Sequence, residues 1–308
     1  MCTAVNTAKF FGRNLDYEHG FREKVIITPR RFPFPFSSQH YALIGIGIEE
    51  GGYPLYFDAM NEKGVGMAGL NFPDNACYFE EAPNRACIPS YDMIPFVLSQ
   101  ASCVKDVKTL LNGAVITNTP FSKGLSPSPL HWLMSDKKES IVIESTKEGL
   151  TLYDNPVGVL ANNPPFPHQI SFLRYYLNLT SNAPQNRFSK KLDLTPYSRG
   201  MGGIGLPGDL SSTSRFVRGA FMKENSKRDT LSQFFHVLTS VEQIEGAAEV
   251  KDGEYEMTLY SSAYSRDDLT LYYTTYTNRR ITAVSLKNTD GENLISHNME
   301  KEEDIKIE

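Results

Sequence analysis

The sequence predicts an α+β fold in which two antiparallel β-sheets pack against each other and helices lie outside them. Three observations support this prediction: short β-type runs come in hairpin-like clusters, small groups of helical patterns separate the clusters, and a regular alternation of strand and helix is absent. Because a doubly wound parallel sheet requires that alternation, the order of the elements argues against such a sheet.

Strands dominate the first third of the chain. Four runs of β-forming residues are bounded by proline, glycine or charged residues: 25–28, 41–48, 55–60 and 65–70. Gly64, Gly66 and Gly69 punctuate the last run, which predicts a bulge or a close backbone approach. A helical pattern follows from Val104, with Ser102 as its predicted N-cap.

The rest of the chain alternates between clusters of strands and groups of helices. Strands are predicted at 131–135, 140–144, 150–153 and 157–160. Helices are predicted at 170–179, at 216–222 after Ser214, and at 231–241 after Thr230. The last predicted strands are 257–261, 269–276 and 281–286, and the charged tail 300–308 is predicted to fray.

Composition places the chain among ordinary globular proteins. It has 308 residues, of which 40% are hydrophobic and 22% charged, enough for one large core. No Gly/Ser linker divides it, so one domain over 1–308 is predicted. The net charge of -5 argues against a nucleic-acid-binding protein, which carries a basic stripe. Without a signal-peptide pattern or an apolar run of membrane-spanning length, a cytoplasmic protein is expected.

Cysteine and histidine spacing predicts no metal site and no bound cofactor. The chain has four cysteines: Cys2, Cys77, Cys87 and Cys103. They match no metal motif, although a disulfide between Cys77 and Cys87 stays open. The histidines also lack ligand spacing, and His131 and His236 are interpreted as structural. Residues 203–208 formally match a dinucleotide fingerprint, but no strand precedes them and Pro207 disrupts the turn, so a loop is predicted.

The N-terminal residues suggest nucleophilic chemistry. Methionine aminopeptidase removes Met1 when the second side chain is small, and removal would leave Cys2 with a thiol and a free α-amine. An α-amine titrates at about pH 8 and can act as the base for the thiol. Arg13 and Asp16 follow closely, and a cation favours a thiolate while a carboxylate can orient an ammonium. An incidental N-terminal cysteine remains the alternative.

Two asparagines and one arginine are further candidates. Asn71 and Asn162 each lie where a strand runs into a turn limited by proline. A side-chain amide held there can donate to a developing oxyanion, although asparagine is also common in ordinary turns. Arg215 lies in the first turn of a predicted helix, where a cation opposes the helix dipole, which indicates an acidic partner or a substrate.

Taken together, these features resemble the choloylglycine hydrolase family, the bile salt hydrolases and penicillin V acylases of the N-terminal nucleophile superfamily. The matching stretches cover nearly the whole chain: 1–3, 11–16, 61–64, 68–73, 130–132, 140–144, 158–164, 205–209, 214–218 and 274–276. Their order and spacing carry the resemblance. It implies an αββα sandwich in which Cys2 ends a central strand once Met1 is removed.

The resemblance also implies a role for each candidate residue. Cys2 would be the nucleophile with its α-amine as the base, and Arg13 would lie beside the sulfur. Asp16 would bind the α-amine. Asn71 and Asn162 would help to form the oxyanion hole, and the polar network would be completed by Arg215.

The substrates implied by the resemblance are conjugated bile salts, cleaved by a cytosolic homotetramer that needs neither metal nor cofactor. Asn71 favours bile salts, because penicillin V acylases resemble one another in having tyrosine there. A loop at 198–200 is expected to border the amino-acid end of the conjugate, and Arg199 would favour glycine, although taurine would also accept it. The segments after Asp16, at 53–57 and at 117–129 are expected to wall an apolar steroid cleft. A penicillin V acylase and an inactive steroid- or lipid-binding relative remain alternatives.

Overall fold

Two large antiparallel sheets form the centre of the protein in a computed structural model that describes residues 1–287 and 289–307. In this part of the chain the strands are β1 Cys2–Asn6, β2 Phe10–Tyr17, β3 Lys24–Thr28, β4 Leu43–Glu50, β5 Tyr53–Asn61, β6 Gly66–Asn71, β7 Cys87–Pro89, β8 Val115–Thr117, β9 Leu130–Ser135, β10 Ser140–Thr146, β11 Gly149–Asp154, β12 Val159–Leu160, β13 Glu249–Lys251, β14 Glu254–Tyr255, β15 Met257–Ser265, β16 Thr270–Thr275, β17 Thr282–Ser285 and β18 Ile295–Asn298.

The helices are fewer and shorter than the strands. The α-helices are α1 Met93–Gln100, α2 Val104–Leu110, α3 Phe166–Phe172, α4 Ser212–Glu224 and α5 Leu231–Thr239. Single turns of 3₁₀-helix occur at Ser90–Asp92, Leu173–Tyr176 and Met201–Gly203. Within the described residues, no helix is both long enough and apolar enough to cross a bilayer.

The order of strands places β1 and β2 inside a sheet. The six-stranded sheet runs β12-β1-β2-β15-β16-β17, and the eight-stranded sheet runs β11-β10-β9-β6-β5-β4-β3-β18. Neighbouring strands in both sheets are antiparallel. The smaller pairs are β13 with β14, and β7 parallel to β8. The N-terminal strand is therefore flanked by partners on both sides.

The layers follow from what each sheet packs against. One apolar cluster joins residues of both sheets, such as Val5 and Phe11 of the six-stranded sheet with Ile44 and Leu133 of the other. A second cluster lies between the eight-stranded sheet and α1 and α2. Helices α4 and α5 contact the six-stranded sheet. The αββα sandwich predicted from the sequence is confirmed.

Close packing requires glycine at two positions, one where the two sheets meet and one between neighbouring strands of the six-stranded sheet. A Cβ added to Gly66 would lie 2.5 Å from the ring of Phe11, and one added to Gly12 would lie 1.9 Å from the carbonyl oxygen of Ser262. Since real Cβ atoms do not approach other atoms so closely, a larger side chain would push the strands apart. The close approach predicted around Gly66 is confirmed.

Several predicted helix boundaries are wrong. The helix predicted at 170–179 begins earlier, at Phe166, because Pro167 suits its first turn, and it ends at Phe172. The N-cap of α4 is Ser211 rather than Ser214. Ser102 lies one residue before the N-cap position of α2 and donates instead to Asp106. Thr230 was predicted correctly, since its hydroxyl accepts a hydrogen bond from the amide of Gln233.

Other expectations have mixed outcomes. Cys77 and Cys87 are both free thiols, so the open disulfide is not formed. His236 is exposed on α5, which makes its assignment to the core wrong. The fraying predicted for 300–308 is wrong at its start, because the carbonyl oxygen of Glu300 accepts from Thr275 and residue 301 forms an ion pair. Residue 308 lies outside the described residues.

Candidate active site

The first hairpin brings three candidate residues together. Cys2 on β1 lies opposite Leu15 on β2. Because side chains alternate along a strand, Arg13 and Leu15 line a cavity with Cys2, whereas Asp16 faces the other side of the sheet. Cys2 is only 2% exposed, and Arg13 and Asp16 are fully buried. The thiol and the cation therefore share one side of the sheet, and the carboxylate of Asp16 lies on the other side.

Arg13 is held by carbonyl oxygens and keeps one nitrogen without a partner. Its Nη1 donates to Gly69 at 2.6 Å and to Phe57 at 3.3 Å. Its Nη2 is buried and has no hydrogen-bond partner among the described residues. Burial lowers the pKa of Arg13, but nearby acidic groups, with Cys2 the strongest, raise it above its usual value. The guanidinium therefore stays charged on the side of the sheet where Cys2 lies.

A buried carboxylate lies behind Arg13. Asp58 on β5 accepts hydrogen bonds from Ser262 at 2.8 Å, from Tyr264 at 2.7 Å and from Tyr260 of β15. Burial raises the pKa of Asp58, although Arg13 and these hydroxyls act in the opposite direction. This network links the two sheets directly behind the site.

Arg215 links helix α4 to strand β1. Its Nη1 donates to the carbonyl oxygen of Cys2 at 2.6 Å and to the hydroxyl of Thr3 at 2.6 Å. Its Nη2 donates to Oδ1 of Asn162 at 2.8 Å. The carboxylate of Asp16 lies 3.7 Å away, both side chains being fully buried. The acidic partner predicted from the position of Arg215 in the helix is therefore present.

Asn162 connects the two asparagine segments. Its Oδ1 accepts from the backbone nitrogen of Cys2 at 2.8 Å, and its Nδ2 donates to the carbonyl oxygen of Asn71 at 2.8 Å. The side chain of Asn71 lines the same cavity as Cys2. It makes no hydrogen bond to any residue in the described ranges 1–287 and 289–307. Asn71 therefore shares a cavity with Cys2, and Asn162 contacts the backbone of both residues, while their role as an oxyanion hole stays a prediction.

His131 contacts both segments that carry the asparagines. Its ring stacks on Phe72 with centroids 4.2 Å apart, directly after Asn71. Its Nε2 lies 2.8 Å from the carbonyl oxygen of Ala161, directly before Asn162. Its Nδ1 pairs with Glu144 at 3.1 Å. The structural interpretation of His131 is confirmed, and the structure adds which segments it holds.

Two residues near the N-terminus were missed in the sequence. The Met1 ammonium donates to the backbone oxygen of Asp16 at 2.6 Å and to the carboxylate of Glu256. Gln243 bridges the carboxylates of Asp16 and Glu256, with both contacts at 3.1 Å. No local pattern marks Glu256 or Gln243. The pairing of β15 with β2 brings Glu256 to the N-terminus, and Gln243 reaches the same place through its hydrogen bonds with Thr258.

Cys2 lines an apolar cleft that consists of two adjoining cavities. The cavity with Cys2 adjoins a second one, and Phe21, Tyr56, Phe57, Ser128 and Leu130 line both. All three predicted wall segments contribute, since the second cavity also includes residues from 55–57 and 121–128. Arg199 is exposed and does not line either cavity. Among the described residues, no group of three potential ligands is arranged to hold a metal ion.

Sequence comparison relates the chain to known amide hydrolases. Residues 2–301 match the choloylglycine hydrolase family, described as linear amide C–N hydrolases. The chain is 50% identical over 317 aligned positions to a bile salt hydrolase/transferase of Lactiplantibacillus plantarum, covering 98% of both chains. It is 35% identical to a bile salt hydrolase/transferase of Clostridium perfringens, again covering 98% of both.

Structural comparison agrees with this relationship. A mutant conjugated bile acid hydrolase from Clostridium perfringens superposes with a TM-score of 0.93 at 35% identity, covering 100% of this chain and 99% of that one. A penicillin V acylase from Agrobacterium tumefaciens shares the fold, with a TM-score of 0.74 at 16% identity and coverage of 97% and 91%. The chain belongs to the choloylglycine hydrolase family and is a hydrolase that acts on linear amides, with a cysteine as its second residue.

Proposed function

We propose that this enzyme hydrolyses the amide bond of glycine- or taurine-conjugated bile salts, with Cys2 as its nucleophile after Met1 is removed. The observation that carries the proposal is that Cys2 lines an apolar cleft together with Arg13 and Asn71, while Asn162 accepts a hydrogen bond from its backbone nitrogen. Relatives named as bile salt hydrolases, at 50% and 35% identity, support the choice of substrate.

The proposed reaction proceeds in two steps. The Cys2 thiol gives its proton to the α-amine, and the sulfur attacks the amide carbonyl of the conjugate. Asn71 and Asn162 donate to the oxyanion, while Arg215 holds Asn162 and the Cys2 carbonyl. The α-ammonium returns the proton to the leaving amine, and water then hydrolyses the thioester to release the bile acid and regenerate the thiol.

The proposed roles of Arg13 and Asp16 follow from their contacts. Arg13 provides the positive charge beside the sulfur. Asp16 is held by Thr258 at 2.6 Å and by Gln243, and its backbone oxygen already accepts from the N-terminal ammonium. After removal of Met1, the new ammonium would be the nitrogen that now donates to Asn162.

The cleft suits a rigid amphipathic acyl group. Its walls are mostly aromatic and aliphatic, and Phe21 packs on Phe57 with centroids 5.4 Å apart. Because Arg199 lies outside the cleft, we do not restrict the proposal to glycine conjugates. By family resemblance we also propose a cytoplasmic homotetramer.

The proposal is tested by measuring the amine released from glycocholate, taurocholate and penicillin V by the purified enzyme in reducing buffer. We expect either bile salt to be cleaved well above penicillin V. Dominant cleavage of penicillin V would instead assign the acyl pocket to penicillins. If none is cleaved, intact mass then shows whether Met1 has been removed, and an enzyme that lacks Met1 yet cleaves none would contradict the proposal.

A further inference from the structure

Removal of Met1 would leave a buried carboxylate without its ammonium partner. Glu256 is 8% exposed, and its Oε1 accepts from the Met1 ammonium. Its Oε2 accepts from Gln243, which is 1% exposed. A buried carboxylate that loses its partner is destabilised unless another cation takes the same place.

The charges around this position require one cation. Asp16 and Glu256 are two carboxylates joined by the amide of Gln243. Arg215 approaches Asp16 to 3.7 Å and accounts for one negative charge. Arg13 lies on the cleft side of the strand, where Asp58 faces it from β5. The remaining negative charge is matched by the N-terminal ammonium.

Tyr17 is a further titratable group near this site, with Glu18 beside it. It ends β2 and lines the cavity with Cys2. Burial raises the pKa of Tyr17, and the charges of Glu18, Cys2 and Glu256 raise it further. Tyr17 therefore stays neutral and provides no countercharge for Glu256.

The new N-terminus lies within reach of the carboxylate. Along the backbone, the nitrogen of Cys2 is about 3 to 4 Å from the nitrogen of Met1. Because Glu256 binds that Met1 nitrogen, its carboxylate lies within about 6 Å of the Cys2 nitrogen. We infer that Glu256, bridged to Asp16 by Gln243, is a positioning residue that keeps the Cys2 α-amine in its ammonium form in the mature enzyme.

This inference rests on the proposed function and extends its mechanism. With the proton held on nitrogen, the resting site is an ammonium beside a thiolate, and the ammonium is ready to protonate the leaving amine. No further reactant is needed, because the proton comes from the thiol and leaves with the amine. Glu256 touches neither substrate nor sulfur in this scheme and acts only through the α-amine.

The test compares Glu256→Gln with the wild type over a range of pH. At a separation of about 6 Å, loss of one charge lowers the midpoint of the ammonium titration by about 0.5 to 2 pH units, for effective dielectric constants from water down to 20. We expect the alkaline limb of kcat for glycocholate to move down by that amount. The midpoint of Cys2 alkylation by iodoacetamide, followed by mass of the N-terminal peptide, should move in the same direction.

Alkylation needs no substrate, so it separates this inference from the proposed function. A shifted alkylation profile without glycocholate cleavage would contradict the proposed function and support the role of Glu256. Superimposable profiles for Glu256→Gln and wild type would overturn the inference. Intact mass confirms that Met1 is removed from every variant compared.

Two further variants control for structure. Glu254→Gln removes a nearby partly exposed carboxylate that pairs with Lys251, and should leave both profiles unchanged. Glu256→Asp keeps the charge on a side chain that is one methylene shorter. It should shift the pH profiles by less than Glu256→Gln does. If Glu256→Gln does not fold, the absence of any shift in Glu256→Asp overturns the inference.

Discussion

Arg215 donates a 2.6 Å hydrogen bond to the carbonyl oxygen of Cys2, so a helix outside the six-stranded sheet fixes the backbone at the start of β1. A cation in the first turn of a helix is unfavourable by itself. Here it is compensated by Asp16 at 3.7 Å and by Asn162, whose side chain also reaches Cys2. The backbone of Cys2 and the side chain of Asn162 are therefore held by the same guanidinium.

Replacing Arg215 by lysine should lower kcat for glycocholate by about 10² or more. A lysine ammonium cannot hold Cys2, Thr3 and Asn162 in the fixed geometry of a guanidinium, so an oxyanion donor is displaced. Steady-state kinetics measure the effect. Arg218→Lys on the same helix is the control, because Arg218 donates to loop carbonyls away from Cys2. Equal losses in the two variants would contradict the prediction.

Replacing Cys2 by alanine should reduce turnover below about 1% of wild type and leave the fold intact, because Cys2 is proposed to supply the nucleophile. Amine release measures turnover, and circular dichroism checks the fold. Cys103→Ala is the matched control and should stay active, since Cys103 lies at the start of α2 in the other helical layer. Turnover by Cys2→Ala above a few per cent would sink the proposed mechanism.

Much of the fold was predictable because most strands carry a local signal. Runs of β-branched and aromatic residues between turn residues predict strands β3, β5, β9 and β10. β1 and β2 carried no such signal by pattern alone. Both faces of these strands are buried at nearly every residue. β2 also includes polar residues whose hydrogen-bonding groups are satisfied only by tertiary contacts. Helix α1 is not predicted either, because it contains a proline within its first turn.

The candidate site was predictable only where sequence neighbours or the family resemblance marked it. Arg13 and Asp16 follow Cys2 closely in sequence, whereas Asn71, Asn162 and Arg215 meet it through separate elements. Glu256 could not be found in this way. It reaches the N-terminus because β15 pairs with β2, and a long-range pairing of that kind leaves no trace in local composition.

Replacing Asn71 by tyrosine should move the substrate preference toward penicillin V. Asn71 lines the cavity with Cys2, so a larger ring would take space from the steroid and present an aromatic surface to a phenoxy group. The ratio of kcat/KM for penicillin V and glycocholate measures the change, and we expect at least about a tenfold shift, equivalent to about 1.4 kcal/mol. Asn112→Tyr, on an exposed side chain outside the wall segments, should leave the ratio unchanged. An unchanged ratio in Asn71→Tyr would show that the wall loops set acyl preference.

Asp92 gives the protein a pH-dependent stability at the edge of the cleft. Its carboxylate is 5% exposed and accepts from Tyr53, while its neighbour Tyr91 lines the cleft. Burial raises the pKa of Asp92 from 3.8 to about 6, although the bond from Tyr53 acts in the opposite direction. The folded state thus favours the protonated acid. Its stabilising contribution is complete below about pH 4 and is lost as the pH rises through about 6.

Asp92→Asn should therefore stabilise the protein at pH 7.5 and have little effect at pH 4. An asparagine keeps an acceptor for Tyr53 and carries no charge to bury, so the gain in unfolding free energy is up to about 3 kcal/mol at the higher pH. Urea denaturation at both pH values measures it. Asp252→Asn, in an exposed turn, controls for the loss of a charge and should change stability little at either pH. A gain of the same size at pH 4 and pH 7.5 would mean that the substitution acts through packing rather than through protonation of Asp92.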